Sequence, residues 1–206
     1  MSRDTSLIAP HLETFFADHL CNHKRVSQQT IASCRDTFRL LLTYLRDTQK
    51  IQPSKLTLPE LDAPVVLSFL DHLESERGNS VRSRNLRLSA IRSFYRWVAL
   101  REPEYIGIVT RIMAIPSKRE DKKLIGYLTR PEIDAIINAP EKTTWAGRRD
   151  RAMLLTLYNS GARVSEIATL ERSQVHFGLE TYLQLNGKGR KERTVPLWPE
   201  TVNTLK

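Results

Sequence analysis

The sequence predicts a mainly α-helical chain with a small antiparallel β-sheet near its C-terminal end. Three observations carry this. Over residues 1–113 apolar side chains recur at three- and four-residue spacing with no strand-like alternation; from Val175 onward short alternating runs take over; and between them lies a stretch without apolar periodicity. At 206 residues, 40% hydrophobic and 27% charged, the chain is long enough for one or two domains with cores of their own. The expected organisation is a helical domain over 1–113, a linker over 114–126 and a mixed α+β domain over 127–206.

From Ser27 to about Asp47, the residues Ile31, Cys34, Phe38, Leu41, Leu42 and Leu45 form a helical apolar stripe, with Ser27 placed to cap it. A helix after Pro64 is expected to bury Val65, Phe69, Leu70 and Leu73 and to stop near Gly78-Asn79. Asn79 or Ser80 can cap the next helix, about 80–100, where Val81, Leu88, Ile91, Phe94, Tyr95 and Val98 share one side. The linker AIPSKREDKKLIG combines Pro, Gly and a charge cluster. Beyond it, Thr129-Arg130-Pro131-Glu132 reads as a capping box opening a short helix with Ile133, Ile136 and Ile137. A longer helix over 145–159 runs into the stop signal Asn159-Ser160-Gly161, and a new helix begins at Ala162-Arg163. The strands VHF, YLQLN and ERTVPL follow, the last two joined by the turn Asn186-Gly187-Lys188-Gly189, and helix signals return at Pro199.

Many functions are excluded by absence. The N-terminus lacks a basic stretch followed by an apolar run, and no window of about 18 uncharged apolar residues occurs; a cytoplasmic protein without membrane association is expected. Cys21 and Cys34 cannot build a disulfide framework and suit a reducing compartment. There is no G-x-S-x-G, H-E-x-x-H or G-x-G-x-x-G, and GKGRKER lacks the spacer and hydroxyl of a P-loop. The spacings of His19, Cys21, His23 and Cys34 match no common zinc pattern. Neither a metal nor a cofactor is expected.

The positive charge is concentrated. Residues 77–123 hold 12 basic and 4 acidic groups, net +8, against net −2 for 1–76 and +3 for 124–206. A field of that kind suits a polyanion, since Lys and Arg on phosphates release condensed counterions; a basic surface kept for solubility is the plainer alternative. On the helix over 80–100, Arg82, Asn85, Ser89, Arg92, Ser93 and Arg96 fall opposite the apolar side, mixing long cations with short polar residues as a face close to a DNA groove would. Arg35, Arg39 and Arg46 form a second candidate face. Arg84 and Arg87 turn toward the apolar side instead.

The segments TLYNSGARVSEIATL and NGKGRKERTVPL are more specific. Arg163 follows a glycine cap, and Glu166, three residues on, can hold its guanidinium. A fixed arginine suits a phosphate, because its planar fork donates two hydrogen bonds and stays charged. Lys188 sits at a glycine-flanked hairpin tip, where an ammonium could reach a leaving oxygen.

Together and in this order these motifs resemble the tyrosine recombinase (phage integrase) family, over nearly the whole chain. The resemblance implies an N-terminal four-helix SAM-like core-binding domain clamping DNA, with RNLRLSAIRSFYRWV matching its last helix, followed by the first part of a mixed α+β catalytic domain. It assigns Arg163 to the first catalytic arginine, Glu166 to its acidic support and Lys188 to the hairpin general acid; the DNA-contact candidates Arg35, Arg39, Arg82, Asn85, Arg92 and Arg96 come from the polar helix faces described above. The family mechanism attacks a phosphodiester with a tyrosine and needs no cofactor. Its H-x-x-R motif and nucleophilic tyrosine should follow the hairpin, yet the last histidine is His176 and the last tyrosine Tyr182. The expectation is therefore a truncated recombinase that binds double-stranded DNA without cleaving it alone, sharing DNA with a second copy or a recombinase partner. The alternative is a catalytically dead DNA-binding protein that regulates or competes with a full-length recombinase.

Overall fold

The computed structural model describes residues 7–121, 126–178, 180–187 and 191–206, and the chain divides into two compact units, Met1–Lys123 and Leu124–Lys206. The first is helical among its described residues; the second mixes helices with a three-stranded antiparallel sheet.

In the first unit α1 (Ile8–Thr14) continues without a break into a π-helical segment, Phe15–His23. Hydrogen bonds spanning five residues there, such as Lys24 N to His19 O at 2.9 Å, bring Phe15 and Leu20 together into the core. Next come α2 (Gln28–Thr48), α3 (Ala63–Ser75), α4 (Val81–Arg101) and, after a 3₁₀ turn, α5 (Ile106–Ala114). Each long helix starts where a short polar side chain satisfies a free backbone N–H: Ser27 accepts from Thr30, Asp62 from Ala63 and Ser80 from Ser83. The Ser80 cap decides between the two candidates for α4. The α2 stripe buries Ile31, Cys34, Phe38, Leu41 and Leu45, with Leu42 half-buried. On α3 it is Val66, not Val65, that is fully buried, because Val66 lies three and seven residues before Phe69 and Leu73 on one face.

The centre of this core is aromatic. Phe15 and Phe38 each meet Phe94 edge to face at 5.4 Å between centroids, and Trp97 closes the group at 5.8 Å from Phe15. Tyr95 is buried, and its hydroxyl donates to Leu61 O at 2.6 Å; burial pushes its phenol above the ordinary tyrosine range. The connection between α2 and α3 carries Leu56, Leu58 and Leu61 into the same core, and Leu56 O accepts from Ile8 N at 2.9 Å. Three leucines without helical periodicity thus anchor a loop that also holds α1.

The expected linker is not uniform along its length. Ile115 is buried, and the backbone over 115–118 is held to α4 by side chains described below, while the Lys118 side chain reaches Glu74 on α3; residues 122–125 lie outside the described ones.

In the second unit Glu132 Oε2 accepts from both Thr129 N and Thr129 Oγ1, at 2.7 and 2.8 Å, opening α6 (Arg130–Asn138). Ile137 is buried there, whereas Ile136 stays exposed. Thr144 caps α7 (Trp145–Ser160), which ends at Gly161 in the left-handed region, φ 57°. After α8 (Val164–Ala168) come β1 (Val175–His176), β2 (Tyr182–Asn186), β3 (Glu192–Pro196) and α9 (Pro199–Leu205). Phe177, expected in the first strand, lies beyond it and is exposed. The sheet order is β1-β2-β3. Alternation along β2 sends Leu183 and Leu185 inward onto Ile167, with Met153, Leu157 and Val195 around them. Asn159, near the end of α7, pins the exit of β3: its Oδ1 accepts from Trp198 N and its Nδ2 donates to Pro196 O.

Candidate active site

The second unit is organised around one buried carboxylate. Glu166 lies at the third position of α8, and its side chain is 4% exposed. Four N–H groups donate to it. Arg163 N reaches Oε2 at 2.9 Å and Arg163 Nη1 reaches Oε1 at 2.9 Å; Arg193 Nη1 and Nη2 reach Oε1 and Oε2 at 3.2 and 2.7 Å. A buried carboxylate is costly unless its charge and lone pairs are met, and here both are. The forked bonds from Arg193, with the Arg163 backbone N–H next, pull the Glu166 carboxyl down to about 2 from an ordinary 4.5.

Local chain geometry sets this up. Gly161 ends α7 in a conformation that favours glycine, and the chain re-enters a helix at once with Arg163 as the capping residue. Glu166 bonds the backbone and the side chain of that same residue, so Arg163 is fixed at its base while 64% of its side chain stays exposed. Its Nη2 and Nε make no hydrogen bond to any described residue. Two guanidiniums on one carboxylate leave one positive charge in excess, offered on the exposed side of Arg163. This arrangement can hold one anionic oxygen group. Lys188 lies outside the described residues.

Arg193 is the participant that reading the motifs missed. The signal was present: in ERTVPL the alternation places Arg193 on the same face as Val195, and β3 pairs Arg193 with Leu185, an inward residue. An arginine at an inward position needs an acid nearby.

In the first unit the candidate DNA-facing residues divide into two groups. Arg35, Arg82 and Arg96 are exposed, and none forms an ion pair or hydrogen bond among the described residues. Arg39 is exposed too and pairs with Asp36 at 2.6 Å. Asn85 and Arg92 are instead engaged with the chain's own backbone. Asn85 exchanges hydrogen bonds with Lys118, while Arg92 donates to the carbonyls of Met113, at 3.2 Å, and Ile115. Burial holds the Arg92 guanidinium below its ordinary range, with Arg96 and Arg84 adding to the effect.

The two arginines turned to the apolar side are cross-links. Arg84 is 2% exposed, donates to Pro116 O at 3.1 Å and lies 3.7 Å from Glu74. Arg87 donates to Ser33 O, Thr37 Oγ1 and Asp36, joining α4 to α2. With Arg111 on Asp62 and Lys118 on Glu74, acids of the segment before residue 77 neutralise several of the cations between 77 and 123.

Among the described residues no three His, Cys, Asp or Glu side chains converge as a metal site, and no helix is long and apolar enough to cross a membrane.

Residues 126–206 match the phage integrase family, and residues 14–102 match the phage integrase N-terminal SAM-like domain. The putative integrase/recombinase y4rD of Sinorhizobium fredii is 40% identical over 97% of this chain and 71% of its own length. The chain belongs to the phage integrase (tyrosine recombinase) family. A second Sinorhizobium fredii integrase/recombinase, y4rC, is 47% identical across this whole chain, which spans 62% of that relative. The Tn1549 transposon integrase, solved with circular intermediate DNA, shares the fold at a TM-score of 0.65, covering 97% of this phage integrase family chain and 62% of the integrase at 13% identity.

Proposed function

We propose that this chain binds double-stranded DNA as part of a site-specific recombinase. Arg35, Arg39, Arg82 and Arg96 contact the backbone, and Arg163, supported by Glu166, grips the phosphate at which strands are exchanged. Asn85 and Arg92 join the DNA face only if DNA displaces the backbone groups they now hold. Lys188 takes the role of general acid toward the departing 5′ oxygen. The observation that carries this reading is the exposed guanidinium of Arg163, fixed by a buried carboxylate that is ionised at neutral pH: a cation held in this way can stabilise the negative charge that develops on a phosphorane. Membership of the family and relatives named as integrases and recombinases support it.

The mechanism needs an attacking tyrosine, and no tyrosine follows Tyr182 among these 206 residues. On this reading these 206 residues bind without cutting, and strand exchange requires a partner recombinase that carries the tyrosine, while a second copy of this chain can share the DNA but not supply the nucleophile.

The test is a binding titration on duplex DNA with an inverted-repeat core, scrambled duplex and single-stranded RNA of equal length, followed by incubation with nicked duplex and denaturing electrophoresis. The expected result is preference for the inverted-repeat duplex, with log affinity falling linearly against log salt and no covalent protein–DNA species. Equal affinity for all three nucleic acids would remove the recombinase reading; a covalent species would remove the claim that this chain does not cleave.

A further inference from the structure

We infer that Arg193 is a positioning residue for phosphate binding, acting through Glu166 on Arg163. This deepens the function proposed above and rests on it.

The argument begins with geometry at the carboxylate. Arg193 approaches Glu166 with its terminal nitrogens paired to the two oxygens, the forked arrangement that fixes orientation as well as distance. Arg163 uses one terminal nitrogen and its backbone N–H on the same two oxygens. If Glu166 could rotate, the Arg163 side chain would lose its single anchor, since no other described residue bonds it. The fork from Arg193 prevents that rotation. Arg193 is itself held at a fixed strand register, opposite Leu185, whose side chain is fully buried. The orientation of the exposed cation that caps α8 is thereby referred to the sheet.

A second observation shows that the sheet is built closely around this pair. Gly187 follows β2, and its backbone N–H donates to Lys191 O at 2.7 Å. A Cβ there would lie 3.2 Å from Lys191 O and 3.4 Å from both Arg193 Nη1 and Glu166 Oε1. A side chain at this position would touch the ion pair and push on Lys191 O by a few tenths of an ångström, so the strand end packs directly against the Arg193–Glu166 pair.

Simple charge compensation would be met by any cation at position 193. Positioning requires the fork, which lysine lacks, and the two roles are separable. Duplex-DNA affinity of the full 206-residue chain is measured against salt for Arg163→Ala, Arg193→Lys, Arg193→Gln and the Arg163→Ala/Arg193→Lys pair, each with a thermal melt. Arg163→Ala should lower the slope of log affinity against log salt by about one unit. Arg193→Lys should retain a native-like melt yet lose ~5- to 10-fold in affinity, and adding it to Arg163→Ala should cost nothing further. Arg193→Gln should match or exceed the Lys loss; should it fail to fold, the Lys variant decides alone. Native affinity and slope in Arg193→Lys, or a loss that adds in full to that of Arg163→Ala, overturns the inference. An unchanged slope in Arg163→Ala overturns the parent reading, and the inference with it.

Discussion

Asn85 and Lys118 exchange two hydrogen bonds across 33 residues of sequence: Asn85 Nδ2 donates to Lys118 O at 2.8 Å, and Lys118 N donates to Asn85 Oδ1 at 3.0 Å. The amide side chain thus pairs with a backbone as a neighbouring strand would, and Lys118 Nζ reaches Glu74 at 2.6 Å on the same segment. The chain leaving α5 is strapped to α4 through the Asn85 amide.

Asn85→Ala should release that strap. Two net hydrogen bonds at ~0.5–1.5 kcal/mol each set the loss at about 1–3 kcal/mol, toward the low end because the site is partly solvated. Limited trypsin digestion should then cut faster after Lys118 and Arg119, while cleavage elsewhere keeps its rate.

The cations of α4 should separate by role. Arg87→Ala removes three bonds to α2 and should cost about 1–2 kcal/mol in a denaturant titration, given that Asp36 keeps Arg39 and is partly exposed. Its effect on the salt dependence of DNA binding should be small. Arg82→Ala should do the reverse, leaving the unfolding free energy within ~0.5 kcal/mol and lowering the salt slope by about one unit.

Acid should weaken the second unit through Glu166. Its carboxyl sits at about 2 in the folded chain against an ordinary 4.5, so the unfolded state binds the proton more readily. The stability gained is complete above about pH 5 and is lost as pH falls toward 2. Following the melting midpoint from pH 7 to pH 2 should show this decline, and Glu166→Gln should be flatter over the same window. Parallel declines in the two proteins would contradict the coupling.

Gly147→Ala should be poorly tolerated. A Cβ at this position in the first turn of α7 would collide with the backbone carbonyl of Glu141, and relief requires moving the loop that precedes the Thr144 cap. Overpacking of this kind costs ~1–3 kcal/mol, readable as a lowered thermal midpoint. Gly107, with open space around its Cβ direction, provides a control: Gly107→Ala in α5 should be neutral or stabilising by up to ~1 kcal/mol.

Much of the fold is legible in the sequence because its signals are local. The stripe on α2, the caps at Ser27 and Thr129, the glycine stop at Gly161 and the alternation in β2 each depend on residues within one or two turns of one another, and each has its counterpart in the structure. The loop leucines 56, 58 and 61 were silent because a buried irregular segment has no period to detect. The π-helical stretch at Phe15–His23 likewise breaks the 3.6-residue rule on which helix reading depends.

For the site the division is similar. Local sequence determined that Arg163 and Glu166 would meet, since three residues across a helix start bring them within reach, and motif order determined the family. Tertiary structure alone decided that a second arginine, 27 residues further along, would complete the carboxylate, and that Asn85 and Arg92 would bind the chain's own backbone rather than stand free. A helical wheel assigns a face by angle; which faces are already occupied depends on segments distant in sequence, whose approach is set by the packing of the core.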